Sequence, residues 1–421
     1  MSFHKLTKLA QLSAAILLIF FLGCSNIKIS KNKTIKVLHY NIFEMETSKI
    51  SQKNPQLHAA KGVISALEFD LFSVNELQYD LPRVPTPIYD STGENLARLL
   101  NLLKPKSHIH WYYSFFPANT GSMARQKKNS HYVTSKHKNA RAYADPNNYG
   151  LFPGQYSTGL ASRYPIKKRK VISKLSWMTF NPQLNLKEYE SAKGSSLPIQ
   201  IELFDKNFVD TIVMINKEPV HVVTLHTVPA YHFGNKKTPN YQRNADQLAF
   251  LEWYLDPSSP LRGGDVHKAL LKQGITPLEK GEHFIAMGDW NTDIKAKNPG
   301  SHILKRLYRS LGLKFPQNIT HETKGFSPKP FNMQLDYIIY SQTLTALKEE
   351  VLRSRPAQMS LSCRKKLATN ELFENKLVPL KSNNTKKKGE KCNIMVPKAY
   401  AQQKLASDHF ALYAELQFKE N

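Results

Sequence analysis

The chain has 421 residues, too many for a minimal domain, and 41% of them are hydrophobic, enough for a sizeable core. Lys and Arg number 59 against 33 Asp and Glu, a formal net charge of +26. That excess points to polyanionic partners, namely nucleic acid, anionic lipid surfaces or phosphorylated small molecules, while three cysteines without a C-x-x-C spacing exclude a zinc–thiolate site.

Lys5 and Lys8 precede an apolar run from Leu12 to Leu22, and Gly23, Cys24, Ser25 and Asn26 follow it. Charge, a short greasy core and small residues are the layout of a secretory signal peptide. The run falls short of the roughly 20 apolar residues of a transmembrane helix. Leu22-Gly23-Cys24 resembles the bacterial lipobox, which implies lipidation of Cys24. Phe21 departs from the aliphatic residue usual there, and ordinary signal-peptidase cleavage is the alternative. The expectation is an exported protein: residues 1–24 a signal, 25–33 a tether, and the product either membrane-anchored through Cys24 (periplasm or outer membrane) or secreted.

From Thr34 the pattern becomes that of a folded domain. Ile35 to Asn41 alternates like a buried strand, His58 to Leu67 has helical spacing, Asp70 to Leu77 reads as a strand and Glu94 to Leu103 as a helix. The aromatic run Trp111 to Phe116 is read as core. Phe115 to Pro153 reads as an insertion with a basic run, Arg125 to Arg141, interleaved with His131, Tyr132 and Tyr143. Further strands are predicted at Tyr156–Ser162, Ser173–Phe180, Ile199–Phe204, Val209–Ile215, Val220–His226, Phe284–Gly288, Gln334–Tyr340 and Phe410–Phe418. Tyr241 to Leu255 is predicted to be an amphipathic helix, with Arg243 and Gln247 on its surface or packed on a sheet, and Arg163 to make a structural salt bridge. Leu352 to Lys404, rich in Lys, Asn and Ser, reads as a mobile charged insertion; a disulfide between Cys363 and Cys392 would close part of it, with two free thiols as the alternative. Residues 34–421 are thus expected to form one layered α/β (α+β) domain with basic insertions near 115–155 and 352–404.

The chemistry gathers at strand ends. Asn41 ends the first strand, Glu76 lies near the end of the second, His226 ends Val220–Leu225, Asp289-Trp290-Asn291 follow FIAMG, and Ser407-Asp408-His409 precede the last strand. Hard oxygen donors such as Glu76, Asp408 and Asp289 suit Mg2+, Mn2+ or Ca2+. Asp and His move protons, and Asn binds phosphate without repelling it. Each residue alone has a plain structural reading, a strand-end turn or a rim histidine.

The ordered pieces VLHYNIFEM, DLFSVNELQ, STGLASRYPI, HVVTLHT, FIAMGDWNTD, QLDYIIYS and SDHFAL resemble the endonuclease/exonuclease/phosphatase (deoxyribonuclease I-like) superfamily. That resemblance implies a four-layer fold: two packed mixed β-sheets flanked by helices, with the site at one end. It implies that Glu76 holds the metal with Asn41 beside it and Asp408 in support. It further implies that His226 contacts the scissile phosphate and that Asp289 is the base or positions the water. Asn291 stabilises phosphoryl oxygens, and His409, paired with Asp336, donates to the phosphate. The pieces NEL and GDWN depart modestly from the usual family wording, and the two insertions have no family counterpart.

The expected activity is metal-dependent phosphoester hydrolysis by a monomer, with nucleic acid the favoured substrate. A sphingomyelinase-like or inositol-phosphate phosphatase activity on lipid or inositol phosphates is the alternative; the sequence shows no exposed apolar hairpin to enter a bilayer. A catalytically inactive surface binding protein is the alternative of another class, and the complete residue set argues against it. The basic stretches Arg125–Arg141 and Lys381–Lys391 are either solvated loops or capture surfaces for nucleic acid or anionic lipid.

Overall fold

Alternation along the strands separates an inner from an outer face, and the two inner faces build the centre of the molecule. The computed structural model describes residues 34–105, 110–316, 318–322, 332–353, 360–362, 377–387 and 390–420. Along β1 (Ile35–Met45) and β2 (Leu71–Leu77), Ile35, Val37 and Leu71 point inward, while Leu38, Tyr40, Phe72 and Val74 point outward against helices Pro55–Ile64 and Asn95–Leu103. β3 (Tyr112–Phe116), β4 (Ser157–Ser162), β12 (Leu344–Val351) and β16 (Leu412–Phe418) complete this sheet in the order β12-β16-β1-β2-β4-β3.

The second sheet runs β11 (Asp336–Tyr340), β8 (His283–Asp289), β7 (Glu218–Leu225), β6 (Phe208–Ile215) and β5 (Ile166–Ile172). Val220, Val222, Ile285 and Met287 face the first sheet, whereas Val223, Leu225, Phe284 and Ala286 face helices Asn240–Leu255 and Pro299–Ser310. Pairs β1–β2 and β7–β8 are parallel and the remaining neighbours antiparallel, so both sheets are mixed. The result is the expected helix–sheet–sheet–helix sandwich. Short β9 (His321–Glu322) and β10 (Asn332–Met333) pair with each other.

The helix predicted from His58 begins at Pro55, because Asn54 accepts the Leu57 amide hydrogen at 3.0 Å and proline is preorganised for the first turn. Ser173–Phe180 and Ile199–Phe204 are not sheet strands. They meet through a single bridge, Ser176–Glu202, and Trp177–Phe180 is a short helix. The reason is the helix Asn240–Leu255, buried along its whole length from Arg243 except at Ala249. It is not amphipathic but enclosed, and Trp177, Phe180, Ile201, Leu203 and Phe204 coat its far side instead of extending a sheet.

Arg243 is therefore interior rather than on the helix surface. Its guanidinium donates to the carbonyls of Leu203 (3.1 Å), Asn147 (3.1 Å) and Glu202 (2.6 Å) and to Asn148 Oδ1 (2.7 Å), and it packs over Trp177. Gln247 is buried beside it, donating to Leu203 O at 2.9 Å. One cation thus ties the predicted insertion and the 199–204 segment to the helix. Arg243→Met is expected to cost about 3 kcal/mol or more in urea denaturation, since it strands several buried acceptors at once.

The first insertion has a small core of its own, in which Val133, Ala144, Leu151 and Phe152 pack with Val84. Arg163 pairs with Glu68 at 3.0 Å, as expected of a structural ion pair. The stretch read as a charged insertion after Leu352 carries backbone strands β13 (Ser360–Ser362), β14 (Leu377–Lys387) and β15 (Glu390–Pro397) in the order β13-β15-β14. It ends in helix Lys398–Ala406, which is no surface appendage: Tyr400 and Lys404 are buried, and both bond Glu322. Cys24 and Cys363 lie outside the described residues, as does the side chain of Cys392. No helix among the described residues is long and apolar enough to cross a membrane.

Candidate active site

At one end of the sandwich the inner columns change from apolar to polar. On β1, Val37 is followed by His39 and Asn41; on β2, Leu71 by Ser73 and Asn75; on β7, Val222 by Thr224 and then His226; on β8, Met287 by Asp289. Register locks these columns together, with His39 opposite Ser73, Asn41 opposite Asn75, and Asp289 opposite Asp336 of β11. The end of the core is thereby lined with hydrogen-bonding groups from both sheets. The Asp289 amide donates to Asn75 Oδ1 at 2.8 Å, and His39 Nε2 meets Asp336 Oδ1 at 3.3 Å, so the sheets are stitched where the polar residues begin.

Alternation alone would send Glu76 outward with Phe72 and Val74. The backbone prevents this: the register of β2 slips against both neighbours between Val74 and Leu77, and Glu76 takes a left-handed conformation with φ 62°. Phe43 and Glu44 on β1 share the distortion, with φ of 55° and 43°. The paired bulge turns Glu76 back toward Asn41, whose Nδ2 donates to Glu76 Oε1 at 3.1 Å, while the Glu44 amide donates to Oε2 at 2.9 Å.

Asp289 is the hub. Its Oδ2 accepts from Asn41 Nδ2 at 3.0 Å and faces His226 Nε2 at 3.5 Å and His409 Nε2 at 3.7 Å; its Oδ1 accepts the Asn291 amide hydrogen at 2.9 Å. His409 Nδ1 lies 2.7 Å from Asp336 Oδ2. Asn291, left-handed with φ 49°, donates from Nδ2 to Thr227 O at 3.0 Å, which holds the Asp289–Asn291 turn against the end of β7. Trp290 turns the other way and stacks on Tyr337 in the outer core, 4.9 Å between centroids. The structure thus brings Asn41, Glu76, His226, Asp289, Asn291, Asp336 and His409 into one constellation. Asp408 borders it, 4.0 Å from His409 Nε2, and groups with His321 and His409.

Burial and charge set the protonation states. Burial pushes Asp289 up to about 7 against the pull of His409, with Asp336 and Glu76 adding to the push. Asp336, although buried, is held below the usual range by His409 and His39. Burial works against the charge of His409, but Asp336 and Asp289 overcome it and raise the imidazole well above its ordinary value. His226 moves the other way, lowered by burial and then by Lys206 and the neighbouring imidazoles. In protein stripped of metal, nitrogen-15 NMR near pH 6.5 is expected to find His409 doubly protonated and His226 neutral. Two rings titrating together near the ordinary value would contradict this reading of the fields.

The donor set fits a hard divalent cation. Glu76, His226 and Asp289 offer ligand atoms that all lie within 4.8 Å of one another, and Asn41 adds an amide beside them. Asp408 Oδ1 is buried without a hydrogen-bond partner among the described residues, as is His226 Nδ1. A buried carboxylate oxygen without a hydrogen bond is costly unless positive charge meets it; His409 Nε2, 4.0 Å away, supplies part of that charge and a cation would supply the rest.

Sequence reasoning missed His39, Ser73, Asn75, Glu44 and Tyr156. His39 is fully buried between Ser73 Oγ (3.1 Å) and Asp336, and so anchors the partner of His409. Its signal was its place in the same alternating column as Val37 and Asn41. Tyr156 donates to Glu44 Oε1 at 2.9 Å, and nothing in the sequence marks that contact, because the bulge creates it.

A family model described as Endonuclease/Exonuclease/phosphatase family matches residues 40–409. No curated protein matches the chain. Among solved structures, an endonuclease/exonuclease/phosphatase family protein from Leptotrichia buccalis is 13% identical over 92% of this chain and 100% of its own, with a TM-score of 0.44. Sphingomyelinase C from Streptomyces griseocarneus is 13% identical over 91% of this chain and 99% of its own, TM-score 0.40. A mannosyl-6-phosphatase from Bacteroides thetaiotaomicron is 12% identical over 91% and 100%, TM-score 0.41. Likeness this distant carries nothing about substrate.

Proposed function

The chain belongs to the endonuclease/exonuclease/phosphatase family and is a metal-dependent hydrolase of phosphoester bonds, and from that premise we propose that it is a phosphodiesterase acting on nucleic acid. The observation that carries the phosphodiesterase reading is the convergence on Asp289 Oδ2 of an amide, Asn41, and two imidazoles, His226 and His409. The net charge of +26 supports a polyanionic substrate.

Glu76 and Asn41, with Asp408 in support, would hold the divalent cation. The chemistry such a cation supplies is charge neutralisation at phosphoryl oxygens. The chain's own residues do the remainder. Asp289 Oδ2, its affinity for a proton raised toward neutrality, accepts the proton of the attacking water as the water oxygen bonds phosphorus and the P–O bond to the leaving oxygen breaks, the leaving alkoxide taking a proton from solvent. His409, whose charged form Asp336 favours, serves as donor rather than base: its Nε2–H donates to a non-bridging phosphoryl oxygen. His226, kept neutral, adds a donor without adding charge, and Asn291 adds an amide at the same oxygens. We also propose that the protein is exported and tethered through Cys24.

Purified protein lacking residues 1–33 should be given plasmid DNA, RNA, sphingomyelin and inositol phosphates with Mg2+ or Mn2+, then with chelator. Metal-dependent cleavage of DNA or RNA is expected. Cleavage confined to sphingomyelin or inositol phosphates would replace the substrate while leaving the site standing, and silence on every substrate would overturn the enzyme.

A further inference from the structure

The strand that delivers His226 runs on into a loop, residues 229–239, whose largest side chains face solvent. Tyr231 is 54% exposed and Phe233 56%. Their rings meet edge to face, 5.0 Å between centroids at 87°, which leaves ring faces open. The loop is braced on both sides of them. The Ala230 amide donates to the carbonyl of Asn291 at 3.2 Å, Asn240 Nδ2 donates to Tyr231 O at 3.2 Å, His232 packs on Tyr241 at 4.5 Å, and the Asn235 amide donates to His232 O at 2.9 Å. Phe233 itself sits in the left-handed region, φ 47°, an unusual conformation for a bulky residue. A braced loop that keeps two aromatic rings in water has left open a contact that burial would have satisfied.

We propose that Tyr231 and Phe233 form a stacking subsite for one base of a single-stranded nucleic acid whose phosphate lies at Asp289. The inference rests on the phosphodiesterase reading and names the substrate feature recognised. Three observations favour a base over a bilayer. Ala230 is bonded directly to Asn291, and at about 3.6 Å per extended residue Phe233 cannot be more than roughly 11 Å from Ala230 along the chain, within reach of a nucleotide held at the site. Only the small Pro229 and Ala230 precede the rings, and His232, Asn235, Lys236 and Lys237 lie between and after them, so the loop carries no further large apolar side chain and is no apolar wedge. Lys236 is exposed beside them and matches a phosphate backbone; Lys237 reaches Glu190 at 2.9 Å. Stacking on aromatics combined with positive charge is how single strands are held without sequence preference.

The test compares wild type, Tyr231→Ala and Phe233→Ala on an oligothymidylate and on the same chain with tetrahydrofuran in place of every base. Both residues are exposed, so the variants should keep the wild-type circular dichroism and melting. KM for oligothymidylate should rise about five- to a hundredfold in each variant with kcat little changed, and KM for the base-free chain should not move. Phe233→Trp should restore the wild-type value. In chelator, a 2-aminopurine oligonucleotide should be quenched by wild type and less by either variant. Equal KM for both chains in wild type, or no change on substitution, would overturn the subsite. So would loss of binding to anionic vesicles in the variants with oligonucleotide kinetics intact, which would make the loop a membrane contact. Turnover of the base-free chain reports on the phosphodiesterase reading independently, so failure of one is distinguishable from failure of the other.

Discussion

Glu76→Gln is expected to lower turnover at a fixed, modest Mg2+ concentration by about a hundredfold or more and to weaken metal binding alongside it. The change is nearly isosteric, and the one oxygen of glutamine can still accept from either the Glu44 amide or Asn41 Nδ2, so one of the two hydrogen bonds is kept and the fold should persist. What disappears is the carboxylate charge that the two bulges direct into the site. Raising Mg2+ or Mn2+ should recover part of the rate, because the loss lies mainly in affinity. Calorimetric metal titration checks this directly. Unaltered affinity and rate would remove Glu76 from the metal site.

Asp289→Asn should have the larger effect on kcat, about a thousandfold or more, with little recovery at high metal concentration. Asparagine can still accept the Asn291 amide hydrogen, so the turn should survive, but it cannot take a proton from water. Wild-type kcat/KM should rise with pH as Asp289 loses its proton, with the limb at or below about 7, since a bound cation adds a downward pull to the field of the protein. In Asp289→Asn that limb should vanish. If the limb persists in the variant, another group is the base.

Much of this site is legible in the sequence because strand periodicity is a hard constraint. Once Val37 or Met287 is assigned to the core, Asn41 and Asp289 must share its face, and they end where apolar sequence ends. The same logic should have marked His39 and Asn75, which lie in the same columns but carry no chemistry expected at mid-strand. Glu76 shows the limit of periodicity: alternation sends it outward, and only a left-handed residue within a bulge brings it back. Its place in an ordered set of motifs, not its local pattern, was the signal.

The fold is less legible where burial depends on distant partners. The helix Pro299–Ser310 escaped notice although Asn298 and Ser301 form a capping box around its proline start. β5, with its run of lysines and arginine, is absent from the predicted strands because an edge strand needs no apolar outer face. Arg243 looks like a surface residue because a helix coated on every side has no polar face to reveal it; its four acceptors come from segments 40 and more residues away in the chain. Tyr400 and Lys404 likewise sit in a charged, lysine-rich stretch, and distant partners draw that helix into the domain: Glu322 binds both, Gln56 donates to Ala406 O and Gln403 donates to Leu352 O.

Metal-dependent cleavage of a phosphodiester at the Asp289 hub can be tested in one preparation. The measurement is single-turnover cleavage of a fluorescent single-stranded oligonucleotide, with excess enzyme in Mg2+, then in chelator, then with Mg2+ restored. The prediction is cleavage that stops with chelator and returns with the metal in wild type, and that is nearly absent throughout in Asp289→Asn. Cleavage persisting in chelator, or equal in wild type and Asp289→Asn, would contradict it.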